Sequence, residues 1–245
     1  MHVFFIALAA IFGLIIGSFL NVVALRLHTG RGIGGRSHCM SCGRTLRWYE
    51  LVPVFSFLLQ RGRCRHCSSR ISWQYPLVEA ITALLFAGVA VWVIDPVRAV
   101  VWMIIVSLGM IIAIYDVRHR MIAVEPLIGL CVGALALRAD PVGLVAVPAI
   151  FLAVWALSRG RLIGFGDIEL MGVIGLSLGV VSGFSALMLG FWIACAIMLP
   201  IVVIARMRQV RRNPQIPLGP FLLIGWYLVG VVGLDILTSI LRMVQ

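Results

Sequence analysis

Eight apolar runs, near 3–25, 75–94, 97–115, 122–139, 141–158, 168–183, 184–205 and 217–240, fill most of the 245 residues. Each is close to bilayer length, about 20 residues for a helix. In hydrocarbon no water is available to the backbone, so each run has to satisfy its own N–H and C=O groups as a helix. Hydrophobic residues make up 62% of the chain, against about 45–50% in soluble domains. Only lipid absorbs that much apolar surface. The expected fold is an all-α membrane protein of about eight transmembrane helices with one sizeable loop between the first two. The first run follows His2 directly, without a basic n-region or a small-residue cleavage site, which predicts a retained span. The expected division is a first helix over 1–27, a loop over 28–74 and a seven-helix core over 75–245.

All 20 basic residues are Arg, and the net charge is +11. In a membrane protein such an excess marks cytoplasmic loops before it marks nucleic acid. With the N-terminus outside, segments 26–74, 116–121, 159–166 and 205–216 hold nine, two, two and four Arg. Only Arg98, Arg138 and Arg242 then lie outside, which fixes the expected orientation. No internal repeat is visible.

The 28–74 loop carries Cys39-x2-Cys42 and, 21 residues later, Cys64-x2-Cys67. Two such knuckles are the usual frame for a tetrahedral thiolate zinc site. Four thiolates leave no open position, so the expected zinc is structural, and a loop this small gains its stability from it. Two disulfides are the competing reading, disfavoured on a reducing cytoplasmic side. His38 and His66 flank the knuckles as neighbours rather than ligands. Nine Arg against one acid, Glu50, read as topology charge in contact with anionic headgroups. Because the loop lies between two spans, no nucleic-acid partner is expected.

Acids near the spans are few, and ionisable groups at membrane depth are functional candidates. Asp95-Pro96 and Asp140-Pro141 read as turns, and the lone Asp235 as a helix-end or packing group. Asp116 closes the third run and Asp167 opens the sixth within Gly164-Phe165-Gly166-Asp167, both at one depth on one side. Two carboxylates sharing a site cannot both ionise easily, so one holds a proton. The pair then supplies a base to activate water and an acid for the leaving amine. Gly164 and Gly166 permit a chain break and close approach of a substrate strand. Helix-dipole arguments assign Asp167 as base and Asp116, at a helix C-terminus, as the protonated partner.

These segments resemble the type IV prepilin leader peptidases, and the resemblance covers nearly the whole chain. It is carried by Gly17-Ser18-Phe19-Leu20-Asn21-Val22-Val23, the two CxxC pairs, Ser72-Trp73-Gln74-Tyr75-Pro76-Leu77-Val78-Glu79, Tyr115-Asp116-Val117-Arg118-His119, Gly164-Phe165-Gly166-Asp167 and Ile216-Pro217-Leu218-Gly219-Pro220-Phe221, in family order. The resemblance implies a fold similar to the GxGD-type intramembrane aspartyl proteases of the bacterial inner membrane. It implies Asp116 and Asp167 as the catalytic pair. The implied substrates are prepilins and type II secretion pseudopilins, cut after a Gly that ends a short basic leader. It further implies methylation of the new N-terminus with S-adenosylmethionine, for which the sequence places no site. Two positions depart from the family pattern. Ala123 stands where Pro is usual, and Glu169 where Lys is usual.

Glu79 and Glu169 are candidates to receive the basic leader, although Glu79 equally suits a partner in the Arg-rich loop. Asn21 reads as an interhelical hydrogen-bonding group or a contact to the methyl donor. Cys131 and Cys195 read as small core residues. The rival from another class is a proton-coupled membrane transporter, since intramembrane carboxylates and broken helices fit that too. Against it, both aspartates fall at span ends rather than at the bilayer midplane. A zinc-bearing scaffold would need neither aspartate.

Overall fold

The computed structural model describes residues 2–30, 32, 34–207 and 217–244. Arg31, Arg208, Arg211 and Arg212 of the charge argument, and Ile216, lie outside the described residues. The chain divides into two compact units, residues 1–94 and 95–245. Among the described residues there are helices and turns and no strand, only two isolated bridges, His38 with Thr45 and Arg63 with Arg70.

In the first unit, α1 (His2–Arg26) packs along α3 (Gln74–Trp92). Gly13 and Gly17 make this possible. A Cβ at Gly13 would sit 2.7 Å from the Ala83 Cα, and one at Gly17 would sit 2.8 Å from the Glu79 Cα. Small residues four apart let backbones touch where lipid offers no hydrophobic drive for association. Asn21 is fully buried in this seam. Its Nδ2 donates to the Gly17 and Tyr75 carbonyls, and its Oδ1 accepts from Gln74 Nε2. Between the two helices lie a 3-10 turn, Trp48–Glu50, and a one-turn α2, Phe55–Leu59.

The second unit contains α4 (Pro96–His119), α5 (Val124–Leu137), α6 (Pro141–Ser158), α7 (Phe165–Leu178), α8 (Val180–Met207), α9 (Gly219–Gly230) and α10 (Ile236–Val244). Asp95 and Asp140 act as the turn residues their sequence suggests. Asp95 accepts from Val97 N–H at the start of α4, and Asp140 from Val142 and Gly143 N–H at the start of α6. Such caps satisfy N–H groups a helix start leaves open. Asp235 is likewise a helix-end residue. It takes hydroxyl hydrogen bonds from Ser182, Ser185 and Thr238 and so ties α10 to α8.

All eight apolar runs are helical, but their lengths differ. Among the described residues, five helices, α1, α3, α4, α6 and α8, are long and apolar enough to cross a membrane. A sixth results if α9 and α10, bent by 49°, form one broken span. Helices α5 and α7 have 14 residues each, about 21 Å, short of a full crossing. The break expected near 183 comes at Gly179, with φ +83 and space-filling contact from Asp140 and Arg138. Gly183 instead lies within α8, packed on Val147. Cys195 is exposed on α8 rather than in a core.

Candidate active site

The loop of the first unit folds around its four cysteines. Their sulfurs all lie within 4.8 Å of one another. The Cys39 and Cys67 Sγ atoms are 3.8 Å apart, the edge of a tetrahedron with metal–sulfur bonds of about 2.3 Å. All four cysteines are free thiols, and the Cys39–Cys67 separation is that of two ligands to one ion. The two knuckles are equivalent in their backbone. Cys39 N–H donates to Arg44 O and Gly43 N–H to Cys39 O; Cys64 N–H donates to Ser69 O and Ser68 N–H to Cys64 O. Gly43 and Ser68 fill the same left-handed position, at φ +71 and +57. This local duplication is invisible as sequence similarity, because only the CxxC spacing is shared. Backbone N–H groups of Cys42 and Ser41 hold the Cys39 thiol down at about 6 and Ser69 lowers Cys67, while Cys42, beside these two sulfurs, is pushed up to about 11. Thiolates are the form that ligates metal. The cluster can hold a metal ion, and its donor set suits one.

Glu79 is buried, 6% exposed. Its Oε2 accepts from Val54 N–H at 2.7 Å, at the entry to α2. Of the two sequence readings, pairing within the loop is the one this contact resembles, although the donor is a backbone N–H and not an Arg.

In the second unit, Asp116 lies in the last turn of α4 and is 5% exposed. The helix stops four residues later, where Arg120 adopts a left-handed conformation at φ +56 and its N–H closes on Asp116 O. Asp167 lies in the first turn of α7, with Gly164 as the residue before the helix. Gly164 N–H donates to the Asp167 carboxyl, and a Cβ on Gly164 would stand 3.2 Å from its Oδ2. Gly166 has a different task from the one its motif suggests. A Cβ there would meet the Ile122 Cβ at 2.9 Å. The glycine lets the start of α7 lie on the turn that follows Asp116. The two carboxyl groups are thereby brought within electrostatic reach of each other. Glu169, one residue beyond Ile168, is exposed.

One position at the carboxylate site escaped the sequence reading. Gly219 N–H, at the first residue of α9, donates to Asp116 Oδ2 at 3.0 Å. A Cβ at Gly219 would stand 2.8 Å from that oxygen. The signal was present as a Gly-Pro pair opening an apolar run, but nothing in it says which carboxylate it meets. The contact also undoes the dipole argument for the roles of the two acids. Asp116 sits at the C-terminus of α4 and at the N-terminus of α9 together, so the disfavouring and favouring dipole ends oppose each other.

These features define a class: a multi-pass helical membrane protein with a four-cysteine cluster in one unit and a carboxylate pair at converging helix ends in the other. Residues 11–93 match the family model described as the bacterial peptidase A24 N-terminal domain, nearly the whole first unit. Curated relatives extend the match. A prepilin leader peptidase/N-methyltransferase of Bacillus subtilis is 34% identical, covering 95% of this chain and 96% of the relative. One of Burkholderia pseudomallei is 32% identical over 90% and 83%. One of Myxococcus xanthus is 33% identical over 81% of this chain and 59% of the longer relative. No solved structure matches the chain significantly. The chain belongs to the prepilin leader peptidase/N-methyltransferase family.

Proposed function

We propose that this protein is an aspartyl endopeptidase that removes the leader of prepilins and pseudopilins, with Asp116 and Asp167 as its catalytic pair. The observation that carries the reading is the convergence of both acids, from helix ends 51 positions apart in sequence, inside one packed unit of a chain that belongs to this family. One carboxylate takes a proton from water as its oxygen bonds to the scissile carbonyl carbon. The other, protonated, gives its proton to the leaving amine as the C–N bond breaks. Protons and electrons balance within the pair, and the products are a leader carboxylate and a new pilin N-terminus. The Gly219 N–H orients Asp116 in this scheme, and Gly164 does the same for Asp167.

The excess of Arg on the loops supports, by the positive-inside rule, a cytoplasmic position for the cysteine loop and for the helix ends that carry the acids, in the inner membrane of the cell. In that orientation the chain reads as a first span over 1–27, a metal-binding loop over 28–74 and the remaining helices over 75–245. Glu169, exposed near the start of α7, is the acid best placed to meet a basic leader. Gly164 borders the path of the substrate strand, while Gly166 seats the start of α7 on Ile122. Zinc is the metal that four thiolates at this spacing select, and it fills a structural role.

Methylation of the new N-terminus with S-adenosylmethionine follows the name of the relatives. Asn21 does not suit the methyl donor, since its amide is spent on Gly17, Tyr75 and Gln74. The test of the peptidase is incubation of a prepilin with purified protein in which Asp116→Asn or Asp167→Asn has been made. Each variant should insert normally and leave the leader uncut. Normal processing by either one ends the proposal.

A further inference from the structure

The segment 48–59 of the first unit carries a surface that water does not favour. Trp48 is 80% exposed, Phe55 60%, Leu58 61% and Leu59 75%. Exposed apolar groups this close together mark a surface that meets something other than water. The inward face of the same turn is accounted for. Phe57 is buried, with its ring 4.8 Å from that of Trp73, and Gly62 closes over it.

Two contacts fix the depth at which this surface stands. Trp73 immediately precedes α3, a candidate span from Gln74 to Trp92. Val54 N–H, at the entry to α2, reaches Glu79, the sixth residue of that span. Five residues of helix rise about 7 Å, close to the headgroup layer that separates a roughly 30 Å hydrocarbon core from water on each side. Segment 48–59 is therefore tied to the level of the headgroups rather than held out in solution. The charge around it matches. Arg61, Arg63, Arg65 and Arg70 are exposed on the stretch that follows. Glu50, the acid nearby, is buried and engaged by Arg47 N–H and Arg44. Basic side chains beside an apolar face are the composition of surfaces that lie in anionic lipid interfaces.

We propose that residues 48–59 are an interfacial anchor, inserted among anionic phospholipid headgroups. The four-cysteine module would then lie against the bilayer surface and would not project from it. The occupant of the apolar face is the lipid itself. An apolar pilin segment or a second copy of the chain would be the alternative occupant.

Photo-crosslinking in the full-length protein separates these. p-Benzoylphenylalanine is placed at Phe55, at Leu59 or at Met40. Met40 is an equally exposed apolar residue, 72% accessible, on the first cysteine knuckle. The protein is reconstituted in vesicles of phosphatidylethanolamine and phosphatidylglycerol, irradiated with and without a prepilin, and analysed by mass spectrometry. All three positions are exposed, so the probe does not disturb packing, and metal content checks that the loop is intact. The expected result is phospholipid adducts at 55 and 59, several-fold above those at 40 and unchanged by prepilin. Adducts mainly to pilin or to a second copy overturn the proposal. So do equal yields at 40 and 59.

Discussion

A methyl group at Gly219 tests the carboxylate site without changing a single acid. Gly219 opens α9 and its φ is not in the left-handed region. The backbone therefore accepts alanine, and at a helix start alanine is no worse than glycine. The added Cβ would lie 2.8 Å from Asp116 Oδ2 and 3.5 Å from its Cγ. That oxygen is the far end of a side chain, so the carboxyl rotates away and the helices stay in place. What is lost is the 3.0 Å hydrogen bond from Gly219 N–H. Hydrogen bonds to charged groups contribute about 1.5–3 kcal/mol, and about 1.4 kcal/mol is tenfold in rate, so kcat should fall roughly ten- to a hundred-fold. Thermal stability in detergent should change little. The control is Gly109→Ala, where the new Cβ meets only the Leu223 side chain, at 3.2 Å, in the same α4–α9 contact. It should cleave prepilin near the wild-type rate. Wild-type kcat in Gly219→Ala would refute the reasoning. An equal loss in Gly109→Ala would show that helix displacement, and not the carboxyl, was responsible.

Other substitutions probe separate parts of the molecule. Cys64→Ser removes one of the four sulfurs and should abolish stoichiometric zinc in the purified protein, measured by elemental analysis, while leaving the α4–α9 helices inserted. Gly143→Ala places a Cβ 2.2 Å from the Gly175 carbonyl oxygen. A backbone atom cannot swing aside, so α6 and α7 must part, at a cost of about 1–3 kcal/mol, read as a lower unfolding temperature. Glu79→Gln keeps an acceptor for Val54 N–H and should preserve cleavage at low and high salt. Glu169→Gln should raise KM for prepilin at low salt, with the difference fading as salt screens the leader's charge. The opposite ranking would return leader binding to Glu79.

The broad architecture was legible because lipid imposes it. Apolar runs near bilayer length have one structural solution, and every run is helical. What the runs concealed was helix length. Their hydropathy does not register that the chain breaks at Gly179, because the flanking residues are as apolar as those of a continuous span. The break requires a left-handed residue, and a sequence with many glycines does not announce which one supplies it. The cysteine cluster was legible from spacing alone, since two CxxC turns have few other uses. Glu79 was ambiguous for a physical reason. A carboxylate near the head of a span serves a backbone N–H as well as a cation, and only the fold shows that Val54 stands in front of it.

The carboxylate site shows most plainly how sequence motifs and geometry divide the work. Around Gly164-Phe165-Gly166-Asp167 the eye falls on the two glycines as room for substrate. In the structure Gly166 is room for Ile122, the residue six past Asp116. The motif's second glycine thus lets α7 begin against the turn that follows Asp116. Gly219 acts in the same way from a third helix, because its missing side chain leaves the Asp116 oxygen within reach of its N–H. Three helix ends meet here, the C-terminus of α4 and the N-termini of α7 and α9, and each leaves backbone groups without partners in its own helix. Carboxyl groups answer the open N–H groups at the two N-termini, Asp116 by accepting from Gly219 and Asp167 by accepting from Gly164. Each acid is therefore positioned by a backbone donor at a helix end, and a shift of that helix end moves the donor with it. A substitution that enlarges Gly166 should accordingly act on both acids together. Gly166→Val, pressing on Ile122, should lower kcat with little change in KM, because it alters the distance between base and acid and leaves the leader's contacts in place. A rise in KM alone would return Gly166 to the substrate path.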